Sequence, residues 1–550
     1  MSQEEIIKLL LKNRGLEKKK DIDAFFHPPH PHTFTYTQIG LDQKKIAQAI
    51  DLIHKHQTNN HPIAIYGDYD VDGITATAIL WETIYTQYKG VFPHIPHRRD
   101  EGYGLSQKGI DHCLSQGAKL IITVDNGIVA NEQVDYCRKK DCEIIIIDHH
   151  EPESTPPPAN VILHSTATSA AGLAWFFARE FEKTFPSLRL RKGLGVSYLE
   201  SQLELVAISV ICDLVPLFGI NRSFAKFGLE ELNQTKRPGL LALFNTAGLL
   251  PSPEIRRGAR GEVINSYHVG FIIGPRLNAA GRLEHALDSL RLLCTTDSIR
   301  ARDLAAHLNQ VNQLRQDKTK VSSDLAVSEF SPEALPKLLI SASPDYDEGV
   351  IGLIASKLVE AYHRPAIAIS IGQEVCKGSA RSLPGFHITD HLRTFSKTLS
   401  AVGGHSMAAG FSVSTAKLDK FIKESVSLAQ DAIPDEILVK SLRVDADIST
   451  SILNLDFYLR LEQFAPFGLA NPRPVFKSQA VPVSNFHRIG SDYRHLKFLA
   501  GGLEAIYFSA PPGVESAMTT ADIVYSLDLN VFNNRETLQL IIKQLLQANS

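Results

Sequence analysis

The sequence predicts an α/β protein of several domains: a doubly wound parallel sheet, a long connector helix, a smaller second α/β domain and a C-terminal β-barrel. Three observations predict it. The first is a set of three apolar runs, "PIAIY", "AKLIITV" and "CEIIII", which are continuous rather than alternating, as strands buried on both faces of a parallel sheet are. Helix-compatible stretches, "ITATAILWETIYTQY" and "NEQVDYCRKKD", separate them, and β-α-β-α-β order is the mark of a doubly wound sheet. The second is length: 550 residues are too many for one core and suggest three or four domains. The third is a change after "AQDAIPDEILVK", where short strand-like runs recur at close spacing, the pattern of a small barrel.

Taken in order, residues 1–60 read as short helices broken by "FFHPPHPH". Residues 61–284 hold the first α/β domain. Within it "EPESTPPPAN" is a loop, and "TSAAGLAWFFAREFEK" and "YLESQLELVAISVICDLVPL" are helices. Residues 285–330 turn polar and charged, as in "DSIRARDLAAHLNQVNQLRQDKTKVSSDLAVSEF", and predict the connector helix. Residues 331–435 form the second α/β domain, with strands "KLLISAS" and "PAIAISI" and the helix "IGLIASKLVEAY". Residues 436–550 supply the barrel through "PVFKSQAVPVSNFHRI", "HLKFLAG", "EAIYFSA", "DIVYSLDLNVF" and "TLQLIIKQLL".

The net charge of −3 excludes a globally basic polyanion binder, so any nucleic-acid groove is a local basic patch on a mildly acidic body. Six cysteines, Cys113, Cys137, Cys142, Cys212, Cys294 and Cys376, include no C-x-x-C pair, and reduced thiols are expected rather than a disulfide framework or a zinc knuckle. The start, "MSQEEIIKLLLKNRG", is acidic at once and has no small-residue cleavage site, unlike a signal peptide. Apolar runs such as "LVAISVIC" fall short of the ~18 residues of a membrane span. A soluble, cytoplasmic protein without a membrane partner is expected.

Three strand ends carry carboxylates: "GDYDVDG" with Asp68, Asp70 and Asp72, "VDNGI" with Asp125, and "IDHH" with Asp148 followed by His149 and His150. Ligand sites of open parallel sheets lie beyond the carboxyl ends of the strands, and neighbouring strands are ~4.8 Å apart, so these groups can converge. "ICDLVPL" adds Asp213 at the end of an apolar helix, where an aspartate is costly unless paired or metal-bound. A lone strand-end aspartate is usually a helix N-cap. Several close together repel one another unless a cation sits among them. Aspartates with one or two histidines favour Mn²⁺ or Mg²⁺ over zinc, and two such ions ~3.5–4 Å apart suit phosphoester hydrolysis.

In this order, "DYDVDG", "VDNGI", "DHH" and "CDLVPL" resemble the DHH phosphoesterase superfamily, and "GSARS" and "GGHSMAAGF" resemble its DHH-associated domain. "EGYGLS", "GPRLNAAGRL" and "PFGLANPRP" narrow the similarity to the RecJ family of single-strand-specific DNA exonucleases, over nearly the whole chain. The resemblance implies a DHH domain, a connector helix, a DHH-associated domain and a C-terminal OB-fold. It implies processive 5′→3′ hydrolysis of single-stranded DNA to 5′-mononucleotides with two Mn²⁺ or Mg²⁺ ions, in DNA recombination and repair. Single-strand-binding protein and a RecQ-type helicase are the implied partners. For the residues, it implies that Asp70 holds one metal with support from Asp68, that Asp72, His149 and Asp213 hold the other, and that Asp125 bridges. His150 faces the substrate phosphate, His405 faces the metals from the second domain, and Arg98, Arg276, Ser379 and Arg381 bind the 5′-terminal phosphate and scissile region. On its own, "GGHSMAAG" also suits a tight-packed helix start. Phe486, Tyr493 and Phe532 are candidates for base stacking in the barrel, or for its core.

Two positions depart from the family pattern. Tyr346-Asp347 stands where a Trp-His pair is usual, which implies either a weakened phosphate contact or a peripheral position; Tyr66 stands where some superfamily members carry a histidine, so the first metal is expected to be held loosely. The rival expectations are a DHH phosphodiesterase for short RNA or cyclic dinucleotides, which leaves the β-rich C-terminal segment unexplained, and a non-enzymatic single-strand-binding scaffold, which leaves the acidic cluster unexplained.

Overall fold

The structure, a computed structural model, describes residues 1–185, 198–249, 263–490, 492–515, 518–532 and 535–547. The chain gathers into two compact units, one of Met1–Asn278, Ala286–Ala306 and Arg443–Ser550, the other of Ala279–His285 and His307–Leu442.

The first unit contains the parallel sheet. Strands β1 (Ile63–Tyr66), β2 (Val91–His94), β3 (Leu120–Val124), β4 (Glu143–Asp148) and β5 (Val161–His164) are all parallel and lie in the order β2-β1-β3-β4-β5. The three apolar runs are β1, β3 and β4, the inner strands, and every residue of β1 and β3 is buried. The outer strands β2 and β5 escape the apolar pattern because each lies at an edge of the sheet and is only partly buried. Pro93 in β2 suits an edge, where a missing N–H costs no ladder bond. This order reverses between β1 and β3, which makes the crevice at their carboxyl ends the expected ligand position. Helices Val71–Tyr85, Ala170–Lys183 and Tyr198–Cys212 pack on one another. Arg237 ties two of them through Glu82 on the first and Glu204 on the last, with N···O distances of 2.6 and 2.8 Å.

The barrel belongs to the same unit. Strands β12 (Phe476–Ile489), β13 (His495–Ala500), β14 (Leu503–Tyr507), β15 (Thr520–Phe532) and β16 (Arg535–Gln547) follow the order β12-β13-β14-β16-β15, and β12–β15 pairing closes them into the five-stranded OB barrel. Strand β11 (Ala446–Asp447) adds a short parallel pairing to β12. The barrel shares its core with the chain's beginning: Ile6, Leu10, Leu11 and Phe25, from helices Gln3–Asn13 and Lys19–Phe26, cluster with Phe457, Phe464, Phe476 and Tyr525. Buried Arg222 fastens this junction by donating to the carbonyls of Phe25, Phe464 and Ala465 at 2.6, 3.1 and 2.8 Å.

In the second unit, β6 (Leu339–Ser343), β7 (Ala366–Ser370), β8 (Val375–Arg381), β9 (Leu399–His405) and β10 (Ala408–Ser414) form a mixed sheet in the order β6-β7-β8-β10-β9. The segment "GGHSMAAG" is a β-hairpin, not a helix start. Gly404 has φ +141°, and a Cβ there would lie 2.3 Å from the Ala408 carbonyl, so the close pairing of β9 with β10 requires glycine. The connector helix spans Ser298–Ser328. It begins later than residue 285, because Leu287–Cys294 is a separate helix with Leu290, Leu292 and Leu293 buried.

Candidate metal centre

The site grows from three chain turns at the sheet's carboxyl edge. After β1, Asp70 caps helix Val71–Tyr85 by accepting from Gly73 N at 3.1 Å. A Cβ on Gly73 would lie 2.6 Å from Asp68 N, so the turn that places Asp68, Asp70 and Asp72 together needs glycine at its end. Asn278 Oδ1 accepts from Val71 N at 3.0 Å and pins the same turn. After β3, Asp125 adopts φ +66°, a strained setting for a non-glycine residue. Asn126 holds it there by donating to the carbonyls of Gly67 and Val124 at 3.1 and 3.0 Å, which joins the ends of β1 and β3. At the end of β4, Asp148 accepts from Ile128 N at 2.9 Å and His149 N at 2.7 Å, so the "DHH" turn is bound back onto the β3 loop.

Three sets of side chains bring their donor atoms within 4.8 Å of one another: Asp68, Asp70 and Asp125; Asp72, His149 and Asp213; and Asp125, His149 and His150. His149 Nε2 lies 3.1 Å from Asp125 Oδ1, 3.4 Å from Asp72 Oδ2 and 3.8 Å from Asp213 Oδ2. His150 Nδ1 is 2.8 Å from Asp148 Oδ1 and 3.9 Å from Asp125 Oδ1.

Asp68, Asp70, Asp125 and Asp213 are crowded and desolvated, and their protonation equilibria are shifted accordingly. Burial, then Asp70, holds Asp68 well above the usual carboxylate range. Burial, then Asp72 and Asp70, does the same to Asp125. Asp70 is raised by burial and Asp72, and Asp213 is pushed up to about 8 by burial, Asp72 and Asp70. Burial lowers the pKa of His149. Burial also opposes the charge on His150, but its hydrogen bond to Asp148 prevails and raises it to about 9. For Asp148 burial works upward, and the bonds from His150 and Ile128 N outweigh it, so the net shift is downward. Among the described residues Asp68 Oδ1 is buried without a hydrogen-bond partner. An orphaned carboxylate oxygen, mutual repulsion among aspartates and a histidine kept neutral together fit hard divalent cations, Mn²⁺ or Mg²⁺.

Around the cluster, Arg98 lies with its guanidinium carbon 5.3 Å over the Tyr69 ring, and its charge offsets only a small part of the upward shift that burial and Asp70 impose on Asp68. The Arg98 loop is clamped by Glu101, which accepts from His97 N at 2.9 Å and pairs with His94 at 3.0 Å. Tyr103 OH meets His150 Nε2 at 2.9 Å. Arg276 donates to the Ile272 carbonyl at 2.8 Å in the turn before helix Gly274–Leu283, where burial lowers its pKa. In the second unit, Arg381 donates to Ser379 Oγ at 3.3 Å on β8, and His405 ends β9.

Tyr66 is fully buried and donates to the Gly104 carbonyl at 3.3 Å. Tyr346 is a core residue bonded to Ser341 Oγ at 2.7 Å, while Asp347 pairs with Lys318 of the connector helix at 2.7 Å. Phe486 stacks on barrel-core Phe498 with ring centroids 4.9 Å apart, whereas Tyr493 is 69% exposed. The Phe532 side chain lies outside the described residues. Sequence reasoning counted Asp148 among the converging strand-end carboxylates without giving it a role, and passed over Glu101, Asn278 and Ser209. Asp148 had a signal, since it ends an apolar strand as Asp125 does. The other three act through contacts that no local spacing encodes.

The class is that of the DHH proteins: the family model "DHH family, N-terminal domain" matches residues 62–203, "DHHA1 domain" residues 335–431 and "RecJ OB domain" residues 444–544. The single-stranded-DNA-specific exonuclease RecJ of Bacillus subtilis (strain 168) is 31% identical over 547 residues, covering 98% of this chain and 67% of that protein. The RecJ of Dickeya dadantii (strain 3937) is 30% identical over 534 residues, covering 91% and 90%. The crystal structure of RecJ in complex with Mn²⁺ from Thermus thermophilus matches with TM-score 0.80 at 27% identity, covering 98% of this chain and 76% of that one. This chain belongs to the RecJ family of single-stranded-DNA-specific exonucleases.

Proposed function

We propose that this protein is a metal-dependent exonuclease specific for single-stranded DNA, which hydrolyses the strand from its 5′ end and releases 5′-mononucleotides. The convergence of six aspartate and histidine ligand groups at the β1/β3 switch point carries this assignment. Asp68, Asp70 and Asp125 would hold one divalent cation and Asp72, His149 and Asp213 the other, with Asp125 shared; when bound, the pair would supply Lewis-acid polarisation of the scissile phosphate and a lowered pKa for the attacking water. His150, oriented by Asp148, faces the scissile phosphate and balances its charge or moves a proton at Nε2. Arg98, Arg276, Ser379 and Arg381 bind the terminal 5′-phosphate and the scissile region, since arginine forks and a serine hydroxyl match phosphate oxygens, and His405 is a further catalytic group facing the metals. The OB barrel holds the strand farther from its end.

The family also supports work in DNA recombination and repair in the cytoplasm, alongside single-strand-binding protein and a RecQ-type helicase. No helix of the described residues is long and apolar enough to cross a membrane. The test is a long single strand labelled at either end, incubated with Mn²⁺ beside the same sequence as a blunt duplex. Labelled mononucleotide should appear at once from the 5′ label and late from the 3′ label, with the duplex resistant. Early release of the 3′ label, or equal degradation of the duplex, overturns the assignment.

A further inference from the structure

We propose that Ser209 is a positioning residue that confines Asp72 to one metal-binding oxygen and thereby favours small octahedral cations over Ca²⁺; the inference rests on the two-cation reading above. Asp72 is 2% exposed, and Ser209 and Ser169 are wholly buried. Each carboxylate oxygen has two lone-pair sites. On Asp72 Oδ1 both are taken, by Ser209 Oγ at 2.6 Å and Ala171 N at 2.9 Å. Among the described residues Oδ2 accepts one hydrogen bond, from Ala170 N at 2.7 Å, and it is the oxygen that lies 3.4 Å from His149 Nε2. One lone pair of Oδ2 is therefore left for the cation that His149 and Asp213 share.

The proton order follows from the chemistry. An ionised carboxylate only accepts, so Ser209 spends its single hydrogen on Asp72. At the short Ser169–Ser209 contact Ser169 must then donate. Ser169 in turn caps helix Ala170–Lys183, and that helix supplies the two backbone donors to Asp72. Ser209 also stands four residues before Asp213, whose N–H bonds to the Ser209 carbonyl at 2.8 Å. One helix thus delivers a ligand and, a turn earlier on the same face, the group that aims a second ligand from another helix.

Freeing Oδ1 would let Asp72 rotate or bind through both oxygens. Ca²⁺ accepts bidentate carboxylates, whereas Mg²⁺ demands near-ideal octahedral geometry. The experiment titrates Mg²⁺, Mn²⁺ and Ca²⁺ into the metal-free full chain by calorimetry, for wild type, Ser209→Ala and Ser169→Ala. Loss of a partner that orients a ligand typically costs about 10–100-fold in metal affinity. Ser209→Ala is expected to weaken Mg²⁺ and Mn²⁺ by that factor and Ca²⁺ by clearly less. Ser169→Ala, which leaves the Ser209–Asp72 bond in place, is expected to shift them less than Ser209→Ala does. Unchanged affinities, or an equal loss for all three ions, in Ser209→Ala overturn the proposal. If that variant does not fold, Ser209→Cys replaces it, since a thiol of nearly the same shape is a weak donor; a wild-type Mg²⁺-to-Ca²⁺ ratio there overturns the proposal equally. Failure of the wild type to bind Mn²⁺ at all would instead remove the two-cation reading, and this inference with it.

Discussion

Asp148 belongs to none of the candidate ligand sets, yet it decides the state of the residue beside them. Its carboxylate accepts from His150 Nδ1, and that pair has a pH consequence in the metal-free protein. His150 rises from the ordinary 6.5 to about 9 on folding, so its stabilising contribution is complete below pH 6.5 and is lost as pH climbs through 9. Asp213 rises from 3.8 to about 8, and a carboxyl raised by folding likewise contributes stability at low pH that is lost as pH rises between those values. Both effects run the same way. With chelator present, the melting temperature is expected to fall from pH 6 to pH 9, and Mn²⁺ should restore it most at the alkaline end. At a hundredfold excess over Kd the cation adds about 2.7 kcal/mol. A melting temperature that rises across this range with chelator present would contradict the assigned burial and pairing. Arg381 carries a second expectation: Arg381→Ala should lose most of the preference for a 5′-phosphate over a 5′-hydroxyl end in competition assays, and an unchanged ratio would remove it as the end-reader. The ligand candidates were legible because aspartates at the ends of apolar runs are costly anomalies. Ser209 was not, because a serine in a helix is ordinary until its partner, 137 positions away, is known.

At the scale of elements, the inner strands were legible and the outer ones were not, for the same reason. Ile144, Ile145, Ile146 and Ile147 are all buried in β4, so the sequence there is uninterrupted, whereas β2 reads "VFPH", with Phe92 and Pro93 only half-buried at the sheet's edge. The β9–β10 hairpin hid behind its glycines, which carry no side-chain periodicity and serve close backbone pairing instead. The N-terminal helices were readable as helices but not in their role. Their apolar residues close the barrel's core, and Arg222 links the two through three carbonyls, with its guanidinium carbon 3.7 Å over the Phe25 ring. Hydrogen bonds to a charged group contribute ~1.5–3 kcal/mol each. Arg222→Ala is therefore expected to lower unfolding stability by about 3 kcal/mol or more in denaturant titration, and a change within about 0.5 kcal/mol would show that the junction is not held by this side chain. Removing the barrel outright would strip the partner from Leu10 and Phe25, so point variants separate binding from folding better than truncation does.

For the whole molecule, the two compact units cut across the linear order: residues 1–278 share a unit with residues 443–550, while the long helix Ser298–Ser328 crosses the division at residue 306. No local pattern announces a core whose members, such as Ile6 and Phe457, lie hundreds of positions apart. The barrel aromatics divide by burial in a way the sequence left open, since Phe486 is committed to Phe498 and Tyr493 is exposed. Stacking on an aromatic contributes ~1–3 kcal/mol per base. Tyr493→Ala should weaken binding of long single strands by roughly 5- to 150-fold in fluorescence anisotropy while leaving the maximal rate on short oligonucleotides near wild type; equal affinity for long strands would take Tyr493 out of the binding surface. The central claim is that the aspartate cluster at the β1/β3 crevice is a two-cation hydrolytic centre with Asp125 common to both ions. It is tested most directly by counting Mn²⁺ ions bound per chain in the wild type and in Asp125→Asn, each shown folded by circular dichroism, beside their rates of single-strand cleavage. Two ions in the wild type, fewer in the variant and a rate lower by orders of magnitude are expected. A folded Asp125→Asn that binds two ions or cleaves at near the wild-type rate would contradict it.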